Sequence, residues 1–449
     1  MTEVADGARR VPILLGVLFG LTGLGSAAVA VTLPLLGRDL GVDSGDAAWA
    51  ISLYALMLAV ATPVYGRVSD LVGVRVPLLV GVALMSVGAV VAATAPTYDV
   101  LLGARLVQGA GAAAIPTLGI TAVSHRYTGA ARGVALGRLA GVTAALSSIG
   151  PLVGGLVEDV AGWRAVLALP VLALLVVPFV WGALTGQGSG ATLDVLGAML
   201  VGVTAAGLVL LVQSPATGLL VALVGTLMLL LGTPLVVRHV RRRPRGFLPR
   251  VVITDPTVVR SAVAAATVPA AWFGLLIAVP AVLVGQGWEP WQVGVLLVPP
   301  AVLSLVVSRH AGRLLDRVGA ARSLAVAAAL ALVALAVAAV GAELASPVLL
   351  ATAVGLVVVA YGISQPAMTA AVTAAVSVDL RGAALGIATL VFMVGASVGS
   401  AALGGLGDAA GIPTALAILA VLPVIGLIAL RPLIERSPLV YDLDEVPGG

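Results

Sequence analysis

Between Val11 and Leu430 the chain carries fourteen apolar stretches of about twenty residues each, and none is confined to the single apolar stripe that a helix of a soluble domain shows. Stretches of that length and composition are membrane-spanning helices, so an all-α integral membrane protein is expected. The spans read as Val11–Leu36, Ala47–Tyr65, Val76–Ala95, Val100–Ser124, Val134–Val157, Ala165–Leu184, Val195–Gln213, Leu219–Val237, Val258–Leu283, Val293–Ser308, Ser323–Gly341, Pro347–Thr369, Ala383–Leu403 and Ile412–Leu430. With 60% hydrophobic and 10% charged residues, against roughly a quarter charged in soluble domains, the chain is not built for water.

The polar inventory removes several classes of function. There is no cysteine, which excludes disulfides, thiol catalysis and thiolate metal sites, and the histidines His125, His239 and His310 are scattered near predicted helix ends. No metal, cofactor or enzymatic activity is expected, since no nucleophile and base fall into a catalytic spacing. All 24 basic residues are arginine, and a chain without lysine has no Gly-x-x-x-x-Gly-Lys-[Ser/Thr] phosphate loop. ATP is not its direct energy source.

Arginine sorts by side of the membrane. With the N-terminus inside, every arginine except Arg38, Arg105 and Arg164 falls on the cytoplasmic side, including the run Arg238, Arg241, Arg242, Arg243, Arg245 and Arg250. The basic balance therefore has a topological cause and does not point to nucleic acid. A multi-pass protein of the plasma (inner) membrane with both termini cytoplasmic is expected. The stretch after Arg9 and Arg10 is too long for a signal peptide and is read as a retained first helix. Trp49, Trp163, Trp288 and Trp291 fall at outer helix ends, where indoles are expected at the headgroup level.

Two short loops carry nearly the same octapeptide: Gly66-Arg67-Val68-Ser69-Asp70-Leu71-Val72-Gly73 and Gly312-Arg313-Leu314-Leu315-Asp316-Arg317-Val318-Gly319. They are about eight helix-and-loop units apart at roughly thirty residues each, whereas two plain six-helix halves would bring the recurrence after six. A helix pair, Val195–Gln213 and Leu219–Val237, is therefore expected as an insertion between two pseudo-symmetric six-helix halves. The division is 1–187, 188–256 with its basic loop, and 257–449 with a short cytoplasmic tail. Asp70 and Asp316 stand where a helix meets the cytoplasm, and a carboxylate there can meet a neighbouring helix N-terminus, or Arg75, and latch the halves. The alternative is that both only stabilise tight turns whose glycines are Gly73 and Gly319.

Arg105 lies inside a predicted span near its outer end, whereas Arg138 and Arg260, the other charged residues within spans, fall at cytoplasmic ends. Burial of Arg105 costs roughly 2.5–3.5 kcal/mol on the insertion scale, so it is expected to face a cavity or pair; snorkelling to the nearby helix end is the alternative. The next helix reads Gly137-x-x-x-Gly141 and then Gly150-Pro151-x-x-Gly154-Gly155, small residues that allow close helix approach, with a proline that permits a bend. Broken helices are expected at Pro269, Pro280 and Val298-Pro299-Pro300, and Gln365-Pro366 joins an amide to a kink. Tyr54, Met57, Gln108, Tyr361, Gln365, Phe392 and Met393 are the bulky or polar residues suited to line a central cavity.

These residues resemble the major facilitator superfamily over almost the whole chain. Gly66, Asp70, Gly73 and Arg75 match its Gly-x-x-x-Asp-x-x-Gly-x-Arg signature between helices 2 and 3, and Arg105, Gln108, Gly109, Gly111 and Ala112 are similar to its helix-4 motif. Gly137, Gly141, Gly150, Pro151, Gly154 and Gly155, followed by Trp163, Arg164 and Pro170, resemble the helix-5 antiporter motif of the fourteen-helix drug:proton antiporters. The resemblance implies the major facilitator fold and alternating access, with export of a drug or natural product against protons, as in antibiotic resistance. The chain departs from that pattern in helix 1, where Gly25 and Ala30 stand in place of the usual Asp and Asn, and Leu71, Val74 and Leu146 replace other motif positions.

No Asp or Glu lies inside any span, so a proton carrier is sought among the outer carboxylates Asp46, Asp99, Glu158 and Asp159, each able to pair with Arg105 or Arg164. A mainly dicationic substrate is disfavoured; a neutral, amphipathic or anionic one fits. The expectation is a monomeric secondary exporter whose partners are a hydrophobic small molecule, protons and the lipid bilayer. The alternatives are a facilitator or lipid-like carrier without tight proton coupling and, from another class, a membrane sensor or scaffold.

Overall fold

The computed structural model describes residues 2–127, 149–184, 194–244, 246–300, 317–377 and 380–435, with some positions between 135 and 147 and at 302–303 and 314–315. Every regular element among them is helical. In hydrocarbon the backbone has no water to bond, so a chain this apolar resolves into helices that pair their own N–H and C=O groups. The first elements are α1 (Thr2–Leu40), a short α2 (Ser44–Ala47), α3 (Trp49–Val72), α4 (Arg75–Ala93), α5 (Tyr98–Ala112) and α6 (Ala114–Arg126). Next come α7 (Gly150–Ala168), a 3-10 turn, α8 (Ala173–Val180), α9 (Val195–Thr217) and α10 (Leu219–Arg242). The chain continues through α11 (Arg250–Ile253), α12 (Pro256–Gly285), α13 (Pro290–Leu296), α14 (Ala320–Glu343), α15 (Pro347–Ala375), α16 (Arg381–Ala410), α17 (Ile412–Leu419) and α18 (Val421–Glu435).

Twelve helical stretches among the described residues are long and apolar enough to cross a membrane, which makes this a multi-pass membrane protein. The count differs from the fourteen expected for two reasons. The expected spans 134–157 and 293–308 are interrupted by residues outside those described, 8 of 24 in the first and 6 of 16 in the second. The stretch Gly150–Val180 counts once, although the end of one expected span and most of the next meet in it at Gly162, where φ is 76°.

The prolines depart from expectation. α12 runs through Pro269 and Pro280, and α15 through Pro366, without interruption. Each proline removes one backbone bond, and burial of the helix against its neighbours keeps it continuous. Pro151 lies in the first turn of α7, where a missing N–H costs nothing, just after a turn at Ile149 that follows helical residues 146 and 147. The expected break before Pro299 is present, as a turn at Leu297.

The glycines that close the two octapeptides, Gly73 and Gly319, share one backbone conformation. Gly73 has φ 79° and ψ 175°, Gly319 has φ 80° and ψ 166°, and their N–H groups donate to Ser69 O at 2.9 Å and Leu315 O at 3.0 Å. A positive φ explains glycine at both positions. The repeat is therefore present in the backbone as well as in the letters.

One end of the molecule, with the loops around 41–48, 94–97 and 285–289, is arginine-poor; the other, with the segment 243–249, is arginine-rich. Apolar packing differs between them. At the arginine-poor end one core joins both bundles, from Ala27–Leu36 of α1 and Trp163 of α7 to Leu275–Val279 of α12 and Leu350 of α15. Towards the arginine-rich end the core splits. One part gathers Leu15, Leu18, Leu78 and Leu118 of the first bundle, the other Val258, Leu324, Met368 and Leu430 of the second. Between bundles, α3 packs on α16, α7 on α13 and α1 on α12, while α9 lies against α10, α3 and α16. α10 leaves Leu219 and Leu220 each 75% exposed, an apolar surface that requires lipid.

Candidate functional site

Arg105 sits on α5 and is 1% exposed, so it does not snorkel. Its Nε donates to Ala50 O at 2.7 Å, its Nη1 donates to Gln108 Oε1 at 2.6 Å, and its guanidinium lies 4.3 Å from the centre of the Tyr54 ring. Hydrogen bonds from a charged group contribute about 1.5–3 kcal/mol each and a desolvated cation–π contact about 2 kcal/mol, enough to offset a charge-burial cost of roughly 2.5–3.5 kcal/mol. The guanidinium thus needs no carboxylate to stay buried, although its Nη2 has no partner. Tyr54, Arg105 and Gln108, three of the expected cavity residues, form one cluster.

The four outer carboxylates stand at the arginine-poor end and none is paired with Arg105. Asp99 and Asp159 are exposed, and Glu158 is half-buried within electrostatic reach of Asp159 and Glu289. Asp46 is half-buried beside Tyr98, whose hydroxyl donates to its backbone carbonyl. Burial, helped by neighbouring Asp43, pushes the Asp46 carboxyl above its usual range.

Arg164 does pair, but with Asp39: Nη1 donates to Oδ2 at 2.8 Å, and the same oxygen accepts from Trp163 Nε1 at 3.0 Å. Sequence reading missed Asp39 because it lies beyond the expected end of the first span, whereas α1 continues to Leu40. The indole of Trp163 is consequently only 6% exposed, and Trp49 is also buried, so these two are packed inward rather than placed at the headgroup level; Trp291 stays exposed. Arg75 donates from Nη2 to Trp181 O at 3.0 Å and lies 4.1 Å from the Trp181 ring centre. Asp70 lies in the last turn of α3, its side chain outside the description, and Gly137, Gly141, Gly312 and Asp316 are outside the described residues.

Across the arginine-poor end the bundles touch at backbone distance. A Cβ on Gly155 would lie 2.6 Å from Pro290 O, and one on Gly294 would lie 2.6 Å from Leu152 Cα. Gly154 admits α1 in the same way, with Ala28 Cα 2.6 Å from such a Cβ, and Gly150 also abuts α1. Ser52 and Ser400, one from each bundle, share a hydrogen bond of 3.0 Å. Below this seal lies a cavity of about 20 Å³ walled by Ala30, Val31, Pro151, Trp272, Leu276 and Pro300 among others. It has room for about one water, whereas drug-sized ligands occupy roughly 300–1,000 Å³. Its walls are apolar, and Trp272, their one large aromatic, carried no distinguishing signal in an apolar helix. Tyr361 and Phe392 stack edge to face with centroids 5.5 Å apart in the second bundle, while Met57, Gln365 and Met393 are half-buried. A Cβ on Gly25 would meet Pro170 Cγ at 2.7 Å, so the place of the missing helix-1 acid is filled.

Two helical bundles joined at one end above an apolar cavity have the architecture of a membrane transporter rather than an enzyme. The sequence model of the Major Facilitator Superfamily matches residues 15–399 and 311–442, and the chain belongs to that superfamily. It is 28% identical over 406 residues to "Multidrug resistance protein Stp" of Mycobacterium tuberculosis, covering 85% of this chain and 74% of Stp. It is also 32% identical over 154 residues to "Efflux pump dotC" of Dothistroma septosporum, covering 34% of this chain and 26% of dotC. In fold it is similar to a POT family transporter crystallised with a thioalcohol conjugated peptide, with a TM-score of 0.71 over 95% of this chain and 96% of that one at 15% identity.

Proposed function

We propose that the chain exports hydrophobic or amphipathic small molecules, drugs or natural products, by alternating access. The observation that carries this is the division of the apolar core: shared by both bundles at the arginine-poor end, separate at the arginine-rich end, with an apolar cavity beneath the seal. Rocking of two rigid bundles about such a cavity exchanges which end is closed. The names of Stp and dotC support a drug-like substrate. The apolar walls support a hydrophobic one.

In this reading the arginine-rich end and both termini face the cytoplasm of a plasma membrane, and the chain works as a monomer in lipid. The structure described is then the inward-facing form, and Asp70 and Asp316 latch the cytoplasmic end when the bundles rock the other way. The full count is fourteen spans, with α9 and α10 as the insertion between 1–187 and 257–449; the packing of α9 on both bundles supports it. Protons drive export, and of Asp46, Asp99, Glu158 and Asp159 the half-buried Asp46 and Glu158 are favoured as carriers, because burial raises both carboxyls above their usual range. The filled helix-1 position favours a second reading, a facilitator without tight coupling.

Vesicles containing the protein, given an imposed pH gradient and a panel of neutral and anionic fluorescent dyes, separate these readings. Uphill export that collapses with a protonophore is expected. Downhill flux indifferent to the gradient would establish the facilitator, and no flux of any dye would contradict export.

A further inference from the structure

Asp194 stands at the arginine-rich end, immediately before α9, and is 9% exposed. Its Oδ1 accepts Gly197 N–H at 3.1 Å and its Oδ2 accepts Phe247 N–H at 2.9 Å. His239 Nε2, in the last turn of α10, lies 2.9 and 2.8 Å from the two oxygens, and Arg243 Nη1 is 3.8 Å from Oδ1. A carboxylate only accepts, so His239 carries a hydrogen on Nε2. One carboxylate thus ties together the start of α9, the end of α10 and the segment after it. Burial works to raise the Asp194 carboxyl, but the bond from Phe247, with those from His239 and Gly197, outweighs it and holds the group below its usual range.

Phe247, in the tied segment, is 6% exposed. It forms an apolar cluster with Ala198 of α9 and Leu390 of α16, against which Val64 of α3 packs. α3 and α16 belong to different bundles. Among the described residues of the arginine-rich half, where the main core has split, this cluster still joins both bundles. Rocking that changes the angle between α3 and α16 must repack it.

We propose that the segment Gly246–Pro249 is a strap across the seam of the two bundles, with Phe247 as its wedge and the Asp194–His239 pair as a proton-dependent latch. The proposal rests on alternating access, but the latch itself is measurable without transport. Protonated His239 gives Asp194 a charge-assisted bond, about twice as strong as the neutral one. Among the described residues, the other charged groups near the latch are Arg238, Arg241 and Arg242 on α10, Arg243 just after it and Arg250 on α11, all exposed; α3 and α16 bring Val64, Leu390, Val391 and Val394 to the cluster.

Hydrogen exchange on the purified full-length protein tests this, because the Phe247 amide donates to the latch itself. Corrected for intrinsic rates, its protection is expected to be about tenfold greater in acidic buffer, with His239 protonated, than in alkaline buffer in the wild type. It should be low and independent of pH in His239→Gln, His239→Asn and Asp194→Asn. Phe247→Ala is expected to raise exchange around Val64 and Leu390 several-fold. Flat protection in the wild type, wild-type pH dependence in His239→Gln, or unchanged exchange at Val64 and Leu390 in Phe247→Ala overturns the proposal. Absence of dye flux with this exchange pattern intact would instead count against the export reading.

Discussion

At the scale of single residues, the buried polar groups of this chain are held by few and specific partners, and losing one leaves another stranded. Gln108→Ala removes the acceptor of Arg105 Nη1 in a site closed to water, and it is expected to destabilise the protein by about 1–3 kcal/mol in a thermal melt. An unchanged melting temperature would mean that Arg105 finds another acceptor. Asp194 makes a pH-dependent contribution. Its carboxyl is held low, so its stabilisation is present above the ordinary value of 3.8 and is lost as pH falls through the lower folded value. Asp194→Asn should therefore cost about 2 kcal/mol at neutral pH and little once the wild-type carboxyl is protonated, read as a gap between two melting curves that closes with acid. Arg105 was legible in the sequence because a lone charge in an apolar span has to be accommodated. The pairs Asp39 with Arg164 and Asp194 with His239 were not, since their members are 125 and 45 residues apart and no local period links them.

Among the elements, hydropathy placed the helices well and their interruptions poorly. A proline's chemistry is visible in the letters, but whether it breaks a helix depends on what packs around it, as Pro269 and Pro280 in an unbroken α12 show. The glycines of α7 were read as close-packing residues. What only the fold reveals is that Gly150 and Gly154 face α1 of the same bundle, whereas Gly155 faces Pro290 and Trp291 of the other. Gly155→Ala should force the arginine-poor end apart, because a new Cβ 2.6 Å from a backbone oxygen cannot be relieved by a side-chain rotation. A cysteine placed at Leu276 in the cavity wall is then expected to label several-fold faster from that side; an unchanged rate would mean that the bundles absorb the methyl without separating. Gly103, in α5, has no atom within 4 Å of such a Cβ, and Gly103→Ala is expected to stabilise by roughly 0.5–1 kcal/mol and leave labelling alone.

For the whole molecule, the repeated octapeptide showed a two-bundle architecture, and the matching conformations of Gly73 and Gly319 carry it into the backbone. What sequence lacked was any statement of which end is shut, because that depends on contacts between helices far apart in the chain. If Asp70 latches the cytoplasmic end, Asp70→Asn should reduce dye export strongly at unchanged abundance; full export would return it to the role of a turn residue. A cysteine in the segment 241–250 should resist an impermeant thiol reagent in intact cells, and labelling there would reverse the proposed orientation. The account's central claim is that the seal at the arginine-poor end must open in every transport cycle. Ser52 and Ser400 hold that seal with oxygens 3.0 Å apart, and the chain has no cysteine to confuse a cross-link. In the double variant Ser52→Cys, Ser400→Cys, a membrane-permeant oxidant is expected to join the two thiols and stop dye export, and a reductant to restore it. Undiminished export with the cross-link fully formed would contradict alternating access through this seal.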